Sequence, residues 1–260
     1  MIASRRSALF TAWFAGHARG RIHRSFGRVH VRGLAEAREI VARAPILIVS
    51  NHTSWWDPLV LLHASEHLLR TEGHAMMDAK NLRRLPFFSL VGAFGVDLEE
   101  PSDGAAAVRH AARLLDRPGR MVWIFPQGDE RPITERPLAF RGGAAQVARV
   151  AKSAVTIPAA IRYEHAGEEL PRLYLSFGAP LPYERDVNAA REAEEAAVLA
   201  EMETIDATIQ AKSEQQRGFD LVHRRDPSWL SVLAERWLAF LTTPRAALPP
   251  PLRARRADRS

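Results

Sequence analysis

The chain has 260 residues, 47% hydrophobic and 25% charged, a composition typical of a globular protein long enough to bury a full core. It contains no cysteine, which excludes a disulfide framework, thiolate chemistry and a zinc site built on sulfur. Its net charge is +6, but residues 1–32 carry +7, residues 242–260 carry +4 and the segment between them carries −5. Basic ends on an acidic body indicate contact with an anionic surface, and we expect a membrane and no nucleic acid.

The N-terminal segment predicts an amphipathic helix over residues 5–20. Leu9, Phe10, Trp13 and Phe14 fall on one face with arginines flanking it, as in helices that lie in a membrane interface. Packing of this face on the protein's own core is the alternative. Because no apolar run reaches the ~18–20 residues that span a bilayer, we expect a peripheral protein on the cytoplasmic face of the membrane.

Strand and helix patterns alternate along the rest of the chain. The predicted strands are 26–34, 46–49, 73–78, 120–125, 155–161 and 173–177. The predicted helices are 35–42, 58–69, 102–115, 143–152, 189–216 and 229–241. This order predicts a single α/β domain, with a mostly parallel sheet flanked by helices and amphipathic helices at both ends. We therefore expect a basic membrane-facing segment (1–32), an α/β domain (33–217) and a C-terminal amphipathic helix with a basic tail (218–260).

The strand that begins at Ile46 leads directly to His52, and Asp57 follows with Pro58 at the first position of the next helix. Open α/β sheets usually place their chemistry at the carboxyl ends of strands. A neutral imidazole there can take a proton from a hydroxyl, and a carboxylate on its far nitrogen fixes the tautomer. The residues alone leave an equal alternative, in which Asp57 caps the helix and His52 is an ordinary loop histidine.

A second loop of interest follows the strand that ends at Phe125. Gly128 lets backbone amides approach a developing oxyanion closely, although a glycine after a strand is also a common turn. Arg131 and the arginines that follow it suit an acidic substrate or a phospholipid head group. Each arginine taken singly is equally well explained as a solvated surface charge.

Motifs of several other enzyme classes are absent or incomplete in this sequence. The run from His63 to His67 matches an inverted zinc-protease pattern, but the chain offers no third ligand in a supporting context, and we expect no metal site. It contains no Gly-x-Ser-x-Gly elbow, no Walker loop and no Gly-x-Gly-x-x-Gly. The common hydrolase, kinase and dehydrogenase interpretations are therefore disfavoured.

Four ordered blocks between about Arg32 and Pro182 resemble the glycerolipid acyltransferase family of the 1-acylglycerol-3-phosphate acyltransferase type. The blocks are Asn51 to Asp57, which matches the family's His-x4-Asp pattern; Gly92 to Leu98; Phe125 to Gly128; and Phe140 to Ala145 continued by Val155 to Ala160. Four blocks in the same order and spacing are far more specific than any one of them.

The resemblance implies a membrane-associated O-acyltransferase with His52 as general base and Asp57 as its partner. It implies an acyl thioester donor, either acyl-CoA or an acyl-carrier protein, a lipid acceptor such as lysophosphatidate, and no cofactor. The substrate-binding residues that it implies are Gln127, Gly128, Arg131 and Gly95, and none of the site residues is expected to bind a metal.

The second and third blocks depart from the family pattern. Leu98 stands where the family usually has arginine, and Gln127, Asp129 and Glu130 stand where it usually has glutamate, threonine and arginine. Those arginines are expected to hold the acceptor's phosphate, and acidic residues in their place disfavour a phosphate by like-charge repulsion. Two acceptor classes therefore stay open: lysophosphatidate, or a glycolipid, a lipid alcohol or another lysolipid. A non-catalytic membrane-binding protein is the alternative outside the enzymes.

Overall fold

The computed structural model describes residues 1–97, 100–165 and 167–225, and the single helical positions Leu233 and Trp237. The chain divides into two units, Met1–Arg225 and Asp226–Ser260. The strands of the first unit are β1 (Arg28–Arg32), β2 (Ile46–Ser50), β3 (Glu72–Asp78), β4 (Ala93–Val96), β5 (Arg120–Ile124), β6 (Val155–Glu164), β7 (Arg172–Phe177) and β8 (Phe219–Arg224). Its helices are α1 (Ala8–Ser25), α2 (Leu34–Arg43), α3 (Asp57–His63), α4 (Ala79–Arg84), α5 (Pro101–Leu114), α6 (Gly143–Val150) and α7 (Val187–Ala211).

One sheet contains all of these strands, in the order β4-β3-β5-β2-β6-β7-β1-β8. The β6–β7 and β1–β8 pairings are antiparallel, and the other five are parallel. The predicted α/β fold with a mostly parallel sheet is confirmed. Strand β2 lies near the middle of the sheet, between β5 and β6. His52 follows its carboxyl end, which is where open α/β sheets place their binding sites.

Helices cover both faces of the sheet. Residues of β2 alternate between two cores: Ile46 and Ile48 pack with α1, α2 and α3, whereas Leu47 and Val49 pack with α5, α6 and α7. Every residue of β2 is buried. A strand buried on both faces reads in sequence as a continuous apolar run, and this explains why Ile46–Val49 was recognisable.

Helix α1 combines the two alternatives that its sequence left open. Ala15 and Ala18 are buried against Leu59 and Leu62 of α3, so one face of the helix docks on the protein. Leu9 and Trp13 lie one turn apart on another face, where they are 87% and 65% exposed. The helix is therefore anchored by Ala15, Ala18 and Ile22, with Phe10 and Phe14 packed beside them, and only Leu9 and Trp13 of the predicted apolar face point to the outside.

The structure adds α4 and β4, which the sequence analysis did not predict, and it changes the helix that follows β2. The predicted helix 58–69 is a short α-helix, α3, followed by a π-helical segment over Ala64–Leu69 that ends at Arg70 with φ +57°. Asp57 does not cap this helix, because its carboxylate points back to the amides of Thr53 and Ser54. The Asp57 carboxylate therefore binds the loop that precedes the helix and does not cap the helix.

The C-terminal part of the first unit was not predicted as a strand. Residues Phe219–Arg224 form β8, which pairs with β1 at the edge of the sheet. The sheet thus draws on residues from both predicted terminal segments, and the predicted division at residues 32 and 217 does not coincide with the unit Met1–Arg225. The predicted helix 229–241 lies outside the described residues except for Leu233 and Trp237, which are helical and exposed.

Glu194 of α7 generates a prediction about stability and pH. It is 2% exposed, its Oε2 has no hydrogen-bond partner, and burial raises its pKa to about 8. Because the folded state then holds a proton that the unfolded state releases near pH 4.5, its contribution to stability is lost as pH rises from about 4.5 to about 8.

We expect the free energy of unfolding of Glu194→Gln to fall less than that of the wild-type protein over this pH range, by on the order of a few kcal/mol. Urea unfolding at a series of pH values measures this, with the exposed Glu203→Gln as control. Parallel curves for wild type and Glu194→Gln would contradict it.

Candidate active site

His52 is placed by a loop whose backbone is fixed on both sides. Asn51 replaces a backbone pairing partner at the end of β2: its side-chain amide donates to the carbonyl of Ile161, and its Oδ1 accepts from the Ile161 amide, both at 2.9 Å. The chain can therefore leave the sheet at Asn51 without losing its attachment to β6. His52 begins the loop immediately outside the sheet.

The imidazole of His52 contacts a carboxylate on one side and a ring on the other. Its Nδ1 lies 2.7 Å from Oδ2 of Asp57, and its ring stacks on Phe125 with centroids 4.4 Å apart. An ionised carboxylate only accepts hydrogen bonds, so the ring proton is on Nδ1, and this N–H group donates a hydrogen bond to Asp57. This tautomer leaves Nε2 with a free lone pair. The side chain is 17% exposed, which gives a second reactant access to it.

Asp57 is fully buried, with 0% of its surface exposed. Burying a charge is costly unless hydrogen bonds replace the lost water. Four donors do so here: His52 Nδ1, the amides of Thr53 and Ser54 at 2.8 and 3.1 Å, and the hydroxyl of Tyr163 at 2.6 Å. Both carboxylate oxygens are engaged, which fixes the orientation of the group that orients His52.

Tyr163 is the functional residue that the sequence analysis missed. Its hydroxyl donates to Oδ1 of Asp57, and burial, followed by the charge of Asp57, raises the pKa of the phenol well above its usual value. The predicted strand 155–161 ended two residues before it. Ile157, Ala159 and Ile161 alternate on one face of β6, and continuing that alternation leads to Tyr163. This periodicity was the available signal.

Gln127 is buried against the loop that carries His52. Its Oε1 accepts a hydrogen bond from the amide of His52 at 2.7 Å, and the residue is only 2% exposed. The amide of Arg131 donates to the carbonyl of His52 at 2.9 Å. The loop after β5 thus holds both backbone polar groups of His52, and it fixes the backbone from which the imidazole projects.

Gly128 and Arg131 lie in the same loop. Gly128 has φ +84°, and a Cβ there would lie 2.9 Å from the guanidinium carbon of Arg141, so two constraints favour glycine. Its amide donates to the carbonyl of Phe125 at 3.1 Å and is already engaged. The guanidinium of Arg131 forms an ion pair with Glu135 at 2.8 Å.

Gly95 lies apart from these residues. It belongs to β4 at the edge of the sheet, separated from β2 by β3 and β5, and its backbone exchanges two hydrogen bonds with Ile2. A Cβ would meet Ala79, Ile2 and Leu82 at 3.2 Å, so close packing accounts for the glycine. Leu98, the other departure in that block, lies outside the described residues.

A cavity of about 340 Å³ opens beside Asp57 at the same edge of the sheet. Thr53, Ser54 and Tyr163, which all bond to Asp57, form part of its wall. The rings of Phe26 and Trp56 form another part, with centroids 5.1 Å apart in an edge-to-face arrangement. Its position makes it the candidate binding site for a substrate group that reacts at His52.

The two histidines of the zinc-like run contact each other, with ring centroids 5.4 Å apart, and His63 is buried. The other contacts of the run are with different elements: Glu66 pairs with Arg6 at 2.7 Å, and His67 Nε2 lies 3.1 Å from the carbonyl of Ala15. Within residues 1–97, 100–165 and 167–225, no group of three or more His, Cys, Asp or Glu side chains is arranged to hold a metal ion.

Comparison with known proteins bears on this site. Residues 28–162 match the Acyltransferase protein family, which is just over half of the chain. The chain belongs to this family. It is also 23% identical over 192 residues to the 1-acyl-sn-glycerol-3-phosphate acyltransferase of Streptococcus pneumoniae (strain ATCC BAA-255 / R6), covering 70% of this chain and 66% of that protein. The resemblance to glycerolipid acyltransferases is thus confirmed. His52 and Asp57 lie inside the matched residues, and Tyr163 lies just beyond them.

Tyr163→Phe tests whether the phenol positions Asp57. Loss of a hydrogen bond to a charged group should lower kcat about tenfold. Because the carboxylate then interacts more strongly with a protonated His52, we expect the acid limb of the pH–rate profile to move to higher pH. The profile of kcat/KM with any accepted substrate pair measures this.

The matched control is Tyr174→Phe on β7, which removes a phenol hydrogen bond to Glu214 away from His52. It should alter stability without moving the acid limb. An unmoved limb in Tyr163→Phe would reduce Tyr163 to a packing residue.

Proposed function

We propose that this member of the Acyltransferase family transfers a fatty acyl group from an acyl thioester to a hydroxyl of a lipid acceptor. Nε2 of His52 accepts the hydroxyl proton while the oxygen attacks the thioester carbonyl. The new C–O bond forms, the C–S bond breaks, and the thiolate leaves with the proton that His52 returns. Asp57 stabilises the imidazolium during the transfer. No acyl-enzyme is required, since the acceptor hydroxyl can attack the thioester directly once His52 takes its proton.

The observation that carries this proposal is the 2.7 Å contact between His52 Nδ1 and a buried, fully hydrogen-bonded Asp57. This geometry leaves Nε2 as a base at the edge of the sheet, and the cavity lined by the following residues Thr53 and Ser54 is large enough for part of a substrate. Gln127 and Arg131 support the proposal by holding the backbone of His52. Preorganisation of this kind lowers the entropic cost of the transition state.

The substrates are proposed at the level of chemical class. The donor is an acyl thioester, carried by CoA or by an acyl-carrier protein. The acceptor is a lipid hydroxyl: lysophosphatidate is suggested by the name of the Streptococcus pneumoniae relative. A glycolipid, a lipid alcohol or another lysolipid is suggested by the departures at Gln127–Arg131.

We further propose that the protein works as a peripheral protein on the cytoplasmic face of a membrane. No helix in the part of the chain that the structure describes is long and apolar enough to cross a bilayer. Leu9 and Trp13 form an exposed apolar face on α1, and Arg19 and Arg24 are exposed further along the same helix. Apolar side chains beside arginines suit the interface of an anionic membrane.

His52→Ala tests the catalytic proposal. Removing the general base should lower acyl transfer by on the order of 10²–10⁴-fold while the fold is retained. Asp57→Asn should give a loss of comparable size, because an amide no longer favours the Nδ1–H tautomer. Mass-spectrometric detection of acylated lipid after incubation with labelled acyl-CoA and a membrane extract measures both.

The control is His110→Ala, a half-buried histidine of α5 that packs on Phe94 and lies outside the cavity wall. Activity retained by His52→Ala would overturn the mechanism. Wild-type protein that binds vesicles but transfers no acyl group would indicate a non-catalytic membrane protein, and release of free fatty acid without added acceptor would indicate a hydrolase.

Replacing Leu9 and Trp13 by serine tests the membrane contact. Loss of two exposed apolar side chains should weaken binding to vesicles containing anionic lipid by about tenfold or more. Sedimentation with vesicles at low and high salt measures this, and binding should also fall as salt screens the arginines. The control is Val150→Ser with Tyr183→Ser, two exposed apolar side chains away from α1. Equal binding by both double variants would exclude this face of α1.

A further inference from the structure

Two of the three arginines of the loop after β5 are paired with acids, whereas the third, Arg136, donates to the carbonyls of Ile133 and Glu135. Arg131 forms an ion pair with Glu135 at 2.8 Å, and Arg141 lies 3.7 Å from Asp129. A phosphate is recognised by arginine N–H groups that are available to donate to it. Each of these two arginines carries a carboxylate of its own, which competes with any anionic ligand.

The cavity beside Asp57 shows the same neutralisation. Arg162, which lines it, donates to Glu164 at 2.9 Å and lies 3.7 Å from Asp206. Glu130 is exposed, and its charge is the last contribution, after burial and Asp57, to the raised pKa of Tyr163. The wall next to Asp57 therefore favours an uncharged group over an anion.

One cation near the cavity has a different partner. The guanidinium of Arg21 lies over the rings of Trp55 and Trp56, 5.8 and 5.6 Å from their centroids. Trp56 lines the cavity, so Arg21 closes the outer face of this ring. A cation held on two indole faces is engaged by the rings. Arg21 is also the alternative binding group for a phosphate, and the Arg21→Gln variant tests that alternative.

The remaining lining suits a head group that carries hydroxyls. Trp56 is half-buried and offers a flat apolar surface, and Phe26, which is 1% exposed and stacked on Tyr163 at 5.6 Å, packs edge-to-face behind it. Thr53 and Ser54 contribute hydroxyls to the same wall. At about 340 Å³ the cavity lies at the small end of ligand sites, ~300–1,000 Å³, so it suits a head group better than an acyl chain.

We propose that this cavity binds an uncharged, hydroxyl-rich head group of the sugar or polyol class, and that Asp129 and Glu135 disfavour a phosphate by neutralising Arg141 and Arg131. The inference rests on the proposed acyl transfer and specifies its acceptor. The sugar's apolar face lies against Trp56, and a hydroxyl is presented to His52, the residue directly before Thr53. The acceptor therefore differs from the one in the name of the Streptococcus pneumoniae relative.

The test compares two acceptors with the same acyl chain: 1-oleoylglycerol 3-phosphate and 1-oleoyl-3-glucosylglycerol. Each is assayed with palmitoyl-CoA and with palmitoylated acyl-carrier protein. We expect the wild-type kcat/KM to be at least about tenfold higher for the glucosyl acceptor than for the phosphate acceptor. A tenfold ratio corresponds to one charge-assisted hydrogen bond that the phosphate fails to form. Trp56→Ala should lower kcat/KM for the glucosyl acceptor more than for the phosphate.

The paired variant is Asp129→Asn with Glu135→Gln, which frees both arginines. The ratio of kcat/KM for the phosphate acceptor to that for the glucosyl acceptor should rise about tenfold. Glu39→Gln is the control, because it breaks the exposed Glu39–Arg43 pair on α2 and should leave the ratio unchanged.

Four outcomes would overturn the inference. A wild-type preference for the phosphate acceptor contradicts it, as does an unchanged ratio in the paired variant. A loss confined to the phosphate acceptor in Arg21→Gln would place a phosphate at Arg21 instead. Absence of transfer to any acceptor with either donor would overturn the proposed function as well, and this separates the two failures.

Discussion

The buried carboxylate of Asp57 is the group on which the carboxyl edge of the sheet depends. Removing a charge from water costs several kcal/mol unless other groups replace its hydration. The structure supplies four donors from three places: the imidazole of His52, two amides of the loop, and the phenol of Tyr163 on β6. Satisfying this one group therefore locks the loop after β2, the start of α3 and the end of β6 to each other.

A second set of contacts acts on the backbone of His52. Asn51 ties the chain to β6, while Gln127 and Arg131 bind the amide and the carbonyl of His52 from the loop after β5. The imidazole thus projects from a backbone held on both sides by neighbouring strands. Catalytic groups act best when their supporting residues leave them little freedom, and the central place of β2 in the sheet provides the two neighbours.

The sequence was most informative where one physical signal was strong. The apolar run of β2 and the pair His52 and Asp57 were recognisable because a doubly buried strand and a histidine–carboxylate spacing are both local patterns. Tyr163 was not found, since its role depends on a residue 106 positions away in the chain. Strand β8 was missed because Leu221 and Val222 are exposed at a sheet edge, so the segment lacks the apolar alternation of a half-buried strand. The ion pairs of Arg131 and Arg141 could not be predicted from the sequence either, because they depend on the geometry of the loop.

The same arrangement separates the reaction from the choice of acceptor. His52, Asp57 and Tyr163 form a hydrogen-bonded series that suits proton transfer from any hydroxyl. The charges around the cavity, where Arg131, Arg141 and Arg162 are paired with acids, bear on which hydroxyl is admitted. Evolution can alter the second set without disturbing the first, since the ion pairs lie on side chains that do not touch Asp57.

The central claim is that Asp57 holds His52 as the Nδ1–H tautomer with a bare Nε2. Heteronuclear NMR of protein labelled with ¹⁵N at histidine tests this directly at neutral pH, with His52→Gln identifying the signal. The account predicts a protonated Nδ1, shifted downfield by its short hydrogen bond, and an unprotonated Nε2, with the pattern lost in Asp57→Asn. An Nε2–H tautomer in the wild-type protein would contradict it.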